Sequence, residues 1–185
     1  MKHNKLFIME CVPKVDDCRE GQVLFDFLGM TLEVTKRGEV FEKDFSSKNE
    51  LLSYLRRKSN IKGCNFIHLS GHGDPDSRSF QLPAGDVHPE DFPKSCFKGR
   101  TVTFSACSLS RNDFMNDFLE QTEAEAVIVP INDVDFDDAA IWYAYFYYLV
   151  LHHRFTAEGA WDRSRRLLCE APGKGQVKGG FQYWA

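Results

Sequence analysis

The sequence predicts an α/β fold, a central mostly parallel sheet with helices on both faces in three layers, as a single domain over residues 1–185. Three observations predict it. Short apolar runs at 6–9, 65–69, 101–104 and 126–129 alternate with segments of helical period, the pattern of buried parallel strands joined by crossover helices. Helix-start signals fall between those runs. Hydrophobic residues make up 43% and charged residues 27% of 185 residues, enough to bury a core without disulfide or metal staples.

The elements follow in order. The run at 6–9 is the first strand, and Val23, Leu24, Phe27 and Leu28 then fall at helical spacing. Gly29 can end that helix, and the alternation over 31–35 reads as a second strand. Ser47 with Glu50 three residues on is a capping-box signature opening a helix striped by Leu51, Leu52 and Leu55. The third strand is 65–69. The Pro- and Gly-rich stretch 80–99 reads as a surface loop or short hairpin, ahead of a fourth strand at 101–104. A helix over 112–122 and a fifth strand at 126–129, stopped by Pro130, come next. A Tyr-rich helix carries Asp137 and Asp138 in its first turn and His152, His153 and Arg154 in its last, matching the helix dipole. A further helix opens at Thr156 as N-cap, with Ala160, Trp161, Ser164, Leu167 and Leu168 on one face. The segment 172–180 reads as loop and 181–184 as a returning edge strand; no internal repeat or linker divides the chain.

Composition narrows the function classes. A net charge of −4 and a pI near 5.9 argue against phosphate-backbone binding, so nucleic acid is not expected as a partner. Six cysteines without a CxxC pair read as free thiols of a reducing cytoplasm. The apolar run near the N-terminus is too short for a signal-peptide core, and the longest apolar stretch, about thirteen residues at 139–151, suits a buried helix better than a membrane span. A cytoplasmic protein without a membrane partner is expected.

Two strand ends carry chemistry. The third strand runs Phe66-Ile67-His68-Leu69 into Ser70-Gly71-His72-Gly73, and the fourth runs Thr101-Val102-Thr103-Phe104 into Ser105-Ala106-Cys107-Ser108. In an open parallel sheet, reactive groups collect beyond the carboxyl ends of the strands. A thiolate is the nucleophile, and a neighbouring imidazole can lower the thiol pKa, accept its proton and protonate the leaving amine. Glycines flanking His72 allow a sharp turn and close approach. The N–H groups of Gly73 and Cys107 can face the oxyanion of a tetrahedral intermediate, a contribution of about 3 kcal/mol per donor. Ser105 and Ala106 are small and leave room for a substrate side chain.

An apolar strand ending in His-Gly, followed tens of residues later by one ending in Ala-Cys, resembles the caspase-like (clan CD) cysteine peptidases: caspases, metacaspases, separase, gingipains and, most closely, bacterial CHAT domains. The matching stretches are HLSGHG, SFQLPAG and TFSAC, followed by EAEAVIVPINDVDFDDAAIWYAYFYYLV and TAEGAWDRSRRLL, over about 65–168. The first 60 residues agree only in their βαβα pattern. Phe104 stands where CHAT domains carry an aliphatic residue, and Pro130-Ile131-Asn132 where they often show a Thr-Leu-Trp type of sequence. Ser105 replaces the Asp of metacaspases, so their way of holding a basic side chain does not carry over; the caspase Gln-Ala-Cys-Arg-Gly string is absent, so specificity for Asp has no support. The resemblance implies a cysteine endopeptidase with His72 and Cys107 as its pair and no cofactor. It also implies a protein substrate and a role in regulated proteolysis, as in bacterial signalling, cell death or phage defence. No sensor domain fits in a chain of this length, so a separate activating or sensor protein is expected.

Plainer readings compete. A lone Cys or His at a strand end is more often structural than catalytic; here two such ends occur in the right order with the right glycines. Cys64, His68 and His72 are spaced by four, but on a strand they lie roughly 13 Å apart, too far to share a metal ion, and no metal site is expected. Asp137 and Asp138 have a sufficient role at a helix start. Asp133 and Asp135 fall in the loop after the fifth strand, bordering the cleft, and are the candidates for binding a basic substrate side chain, Asp135 ahead of Asp133. The reading from another class is a peptidase-like interaction module that binds a signalling partner without catalysis.

Overall fold

A computed structural model of the chain describes residues 4–13, 19–35, 37–74, 76–107, 109–110, 114–170 and 180–185. The strands β1 (Lys5–Glu10), β2 (Glu39–Asp44), β3 (Phe66–Ser70), β7 (Thr101–Ser105), β8 (Ala126–Pro130) and β9 (Phe181–Trp184) form one six-stranded sheet in the order β2-β1-β3-β7-β8-β9. The first five are parallel, and β9 closes the edge antiparallel to β8, with Val127 opposite Trp184 and Pro130 opposite Phe181. Between β3 and β7 the chain makes a small antiparallel sheet, β4 (His72–Asp74), β5 (Ser79–Leu82) and β6 (Gly85–Val87). The short hairpin read from the Pro- and Gly-rich stretch is its β5–β6 half.

The central strands are buried on both faces, so each presents alternate side chains to two separate cores. Phe7, Met9, Ile67, Leu69, Val102 and Phe104 pack with α2 (Lys48–Leu55) and α3 (Phe114–Thr122). Leu6, Ile8, Phe66 and Ile128 face α1 (Glu20–Thr35), α4 (Phe136–Tyr147) and α5 (Ala157–Ser164). This is the expected three-layer arrangement. The Tyr-rich helix is core: Trp142, Tyr143, Phe146 and Tyr147 are fully buried, and Trp142 stacks on Phe181 of the edge strand at 4.0 Å between ring centroids. It ends earlier than its sequence suggested, passing into a π-helical turn over Tyr148–His152. None of the helices is long and apolar enough to cross a membrane, among the described residues.

Local signals placed several elements well. Ser47 caps α2, its hydroxyl accepting from the Glu50 N–H, and Thr156 caps α5 by accepting from the Gly159 N–H. One element is corrected. The stretch 31–35 is not a strand: α1 continues through it to Thr35, and the second strand is β2 at Glu39–Asp44. The buried series Leu24, Leu28 and Leu32 keeps one helical face against the sheet, which outweighs the Gly at 29. Thr31 and Thr35, β-branched but not expelled, return their hydroxyls to the carbonyls of Phe27 and Thr31. On the last helical face Ala160 and Ser164 are buried, whereas Leu167 is exposed because Arg165–Cys169 is a π-helical turn that rotates it outward. The loop expected at 172–180 lies outside the described residues except for Gly180.

Candidate active site

β3 and β7 are parallel neighbours in a register that pairs Ser70 with Ser105. His72 and Cys107 each lie two residues beyond that pair, at the same height above the carboxyl edge of the sheet. The Gly71 N–H donates to the Ser105 carbonyl at 3.1 Å and holds the two chain ends together past the last strand residues. Gly71 and Gly73 then permit two close approaches. A Cβ on Gly71 would lie 2.6 Å from the Phe80 ring, and one on Gly73 only 2.0 Å from the Cys107 carbonyl oxygen. The backbone next to His72 therefore rests directly on the backbone of Cys107.

The two side chains differ in setting. His72 is exposed, opens β4 opposite Gln81, and presents its imidazole edge-on to the Phe136 ring at 5.5 Å. Cys107 is half-buried. Its sulfur is held by one residue of the acidic loop: the Val134 N–H donates to Sγ at 3.4 Å, and the thiol donates to the Val134 carbonyl at 3.6 Å. Burial pushes the Cys107 thiol up from its ordinary value; the Val134 N–H acts against this, and the carboxylates of Asp133 and Asp135 add to it. The resting arrangement thus favours the thiol over the thiolate, whereas the sequence suggested an imidazole-lowered pKa. The difference comes first from burial of the sulfur and then from the carboxylates of the loop after β8.

Asp133 and Asp135 are both exposed on that loop. Asp135 is the N-cap residue of α4 by backbone geometry, its carbonyl accepting from Ala139, yet its carboxylate makes no capping bond. Ser105, the last residue of β7, is 3% exposed, so its side chain is closed off from solvent.

Two residues before the Ser70–Ser105 pair is a polar cluster that sequence reasoning missed. His68 is fully buried and bonds on both ring nitrogens: Nε2 to the Glu20 carboxylate at 3.1 Å, Nδ1 to the Thr103 hydroxyl at 2.7 Å and to the Tyr147 hydroxyl at 3.0 Å. It ties the first turn of α1 and the end of α4 to the two strands that carry the candidate pair. Phe136 and Val134 were missed as well. Val134 acts through its backbone, which leaves no sequence signal.

No family model matches the chain, and no curated protein does. Solved structures do. One is caspase-1 from Spodoptera frugiperda, with a TM-score of 0.59 and 10% sequence identity, covering 100% of this chain and 87% of that one. The fold is therefore the caspase fold, and an identity this low speaks to the fold alone.

Proposed function

We propose that the chain is a cysteine endopeptidase of the caspase-like kind, allied by its motifs to CHAT domains, that cleaves a protein substrate through Cys107 and His72 without a cofactor. The observation that carries this reading is the contact of Gly73 with the Cys107 carbonyl, on adjacent strand ends in register. His72 takes the Cys107 proton as the sulfur attacks the scissile carbonyl carbon; the C–N bond breaks, the leaving amine receives that proton, and a thioester remains. Water activated by His72 then hydrolyses the thioester and returns the thiol. The N–H groups of Gly73 and Cys107 are the proposed donors to the oxyanion, and Ser105 backs the substrate-binding floor. Asp135, ahead of Asp133, would pair with an Arg or Lys before the cut. Such an enzyme would work in the cytoplasm under a separate activating protein. Mass spectrometry of candidate protein substrates incubated with native, Cys107→Ala and His72→Ala chains tests it: products only with the native chain are expected, and identical products from all three would defeat the proposal.

One observation favours a second reading, an interaction module without turnover. Burial pushes the half-buried Cys107 thiol up and the Asp133 and Asp135 carboxylates add to it, the opposite of a poised thiolate. A peptidyl acyloxymethyl ketone separates the two. The peptidase gains the mass of one acyl-methyl adduct on Cys107 that depends on His72; the module gains none.

A further inference from the structure

The candidate pair stands at the carboxyl edge of the sheet, and the opposite edge carries a cavity. Parallel strands begin together, so Asn65 ahead of β3, Thr101 at the start of β7 and Glu125 ahead of β8 meet at one place. There they line a cavity of about 410 Å³ with the first turn of α5 and with Tyr183 of the antiparallel edge strand. Thr101 lies roughly 13 Å along β7 from Ser105, four residues at about 3.3 Å each. No residue of the candidate pair or of the acidic loop borders the cavity.

Its polar lining is rich in acceptors. Thr101 is 5% exposed, yet its hydroxyl makes no hydrogen bond among the described residues, and a group buried to that degree ordinarily has a partner. The Asn65 amide is unpaired among the same residues, and Asn4 donates its amide N–H to the Val150 carbonyl at 2.9 Å, which leaves its oxygen as an acceptor. Glu125 and Glu158 line the cavity, are exposed, and form no ion pair among the described residues. Burial raises the Tyr183 hydroxyl and the Glu158 and Glu125 carboxylates add to it, so both charges act on one ring. Cations are absent from the lining: Lys5 is paired with Glu39, Lys98 with Glu123, Arg100 donates to the Lys98 carbonyl, and Arg154 has a partner. The start of α5 would favour an anion, but the Thr156 hydroxyl already accepts from the Gly159 N–H and Glu158 supplies negative charge to that turn. Aromatic surface completes the lining, with the Tyr183 ring and Phe155, which is 38% exposed. Carboxylates beside aromatic rings are the setting in which proteins hold organic cations.

We infer that this cavity is a binding site for a small organic cation, an ammonium or guanidinium group on a short apolar stem. Its N–H donors meet the Glu125 and Glu158 carboxylates and the unpaired Thr101 and Asn65 acceptors, and its stem lies along Phe155 and Tyr183. That chemistry occurs both in free amines and in the Lys and Arg side chains of peptides. The site is separate from the candidate pair, and the inference stands whether or not the chain cleaves peptides.

The test is calorimetric titration of the full chain with agmatine, against neutral butanol and anionic butyrate as controls, at low ionic strength. It is run on a chain carrying Asp133→Asn and Asp135→Asn, so that cation binding at the acidic loop beside Cys107 does not contribute. Agmatine is expected to saturate one site and to weaken as salt is raised, while butanol and butyrate do not bind. Adding Glu125→Gln with Glu158→Gln, both at exposed positions, should weaken agmatine about tenfold. Thr101→Val, which keeps the shape of the side chain, should weaken it about threefold with thermal unfolding little changed. A parallel titration with a blocked Gly-Arg-Gly peptide separates the sources: tighter agmatine assigns a free amine, and a tighter peptide assigns a side chain. The inference is overturned by an absence of saturable agmatine binding, by butanol binding as well as agmatine, or by an affinity indifferent to the Gln substitutions or to Thr101→Val.

Discussion

Replacing Gly73 with Ala tests the contact on which the candidate site stands. The added methyl carbon would lie 2.0 Å from the Cys107 carbonyl oxygen and 3.0 Å from Leu109 Cγ. Carbon and oxygen meet comfortably at about 3.3 Å, so the two strand ends must part by roughly 1 Å. The first obstacle is backbone, and it belongs to the candidate nucleophile itself, so no side-chain rotation relieves it. A displacement of about 1 Å between reacting groups costs on the order of 100-fold in rate. The accompanying overpacking costs about 1–3 kcal/mol, which lowers Tm by about 3–10 °C without unfolding the chain. Gly29→Ala is the control: it lies in α1, a Cβ there meets nothing within 4 Å, and Ala should stabilise the helix by about 0.5–1 kcal/mol. Both variants are assayed by thermal unfolding and by the rate at which a peptidyl acyloxymethyl ketone modifies Cys107. A Gly73→Ala chain modified within about twofold of the native rate would refute the reasoning, because strand ends that tolerate such a shift do not set the geometry of the pair.

Two further outcomes follow from the same geometry. With neutral iodoacetamide, Cys107 should react well ahead of Cys11 and Cys96, which are buried and whose thiols burial pushes up, that of Cys96 to about 12. Its rate should still be climbing at pH 9, since its own thiol is also raised; peptide mapping that finds Cys96 modified first counts against this ordering. Glu20→Ala should destabilise the chain by about 2–3 kcal/mol in urea unfolding, because it strips a fully buried His68 of its Nε2 partner. A loss under about 0.5 kcal/mol would mean that water replaces the carboxylate.

The parts that were legible in the sequence are those written in local pattern. The caps at Ser47 and Thr156, the edge strand at 181–184 and the two motif-bearing strands each depend on residues a few positions apart, and strand register then brought HLSGHG and TFSAC side by side. The stretch 31–35 misled for a physical reason: a Gly and two Thr argue locally against helix, while burial of Leu28 and Leu32 against strands distant in the sequence decides for it. Glu20 and His68 lie 48 residues apart and neither belongs to a motif, so their bond exists only in the fold. Val134 reaches the sulfur through its backbone, and any residue at that position writes the same bond into the chain. Val23 and Phe27 share the helical spacing of Leu24 and Leu28 but are exposed where those are buried, and a residue is known to be exposed only when its neighbours are placed.

In the proposed enzyme the acidic loop at Cys107 would link specificity to reactivity. Burial raises the thiol and two carboxylates on one loop add to it, so whatever neutralises them takes back that share. If Asp135 and Asp133 hold a substrate Arg or Lys, the same ion pair that selects the substrate releases the nucleophile, and by linkage the thiolate form binds that cation more tightly than the thiol form does. The sign is fixed: in the resting chain the alkylation midpoint lies above the ordinary cysteine value, and a bound guanidinium moves it down. Both carboxylates are exposed, so screening keeps their share of the shift small. Asp133→Asn with Asp135→Asn should lower the midpoint in the absence of any ligand, and added butylguanidinium should then have no further effect. Because a ligand in the cleft can slow the reagent by obstruction, the quantity to read is the midpoint of the iodoacetamide rate against pH and not the rate at one pH. A midpoint that rises with butylguanidinium, or that stays put in the double Asn variant, would show that burial alone sets the thiol and that the acidic loop has no part in arming it.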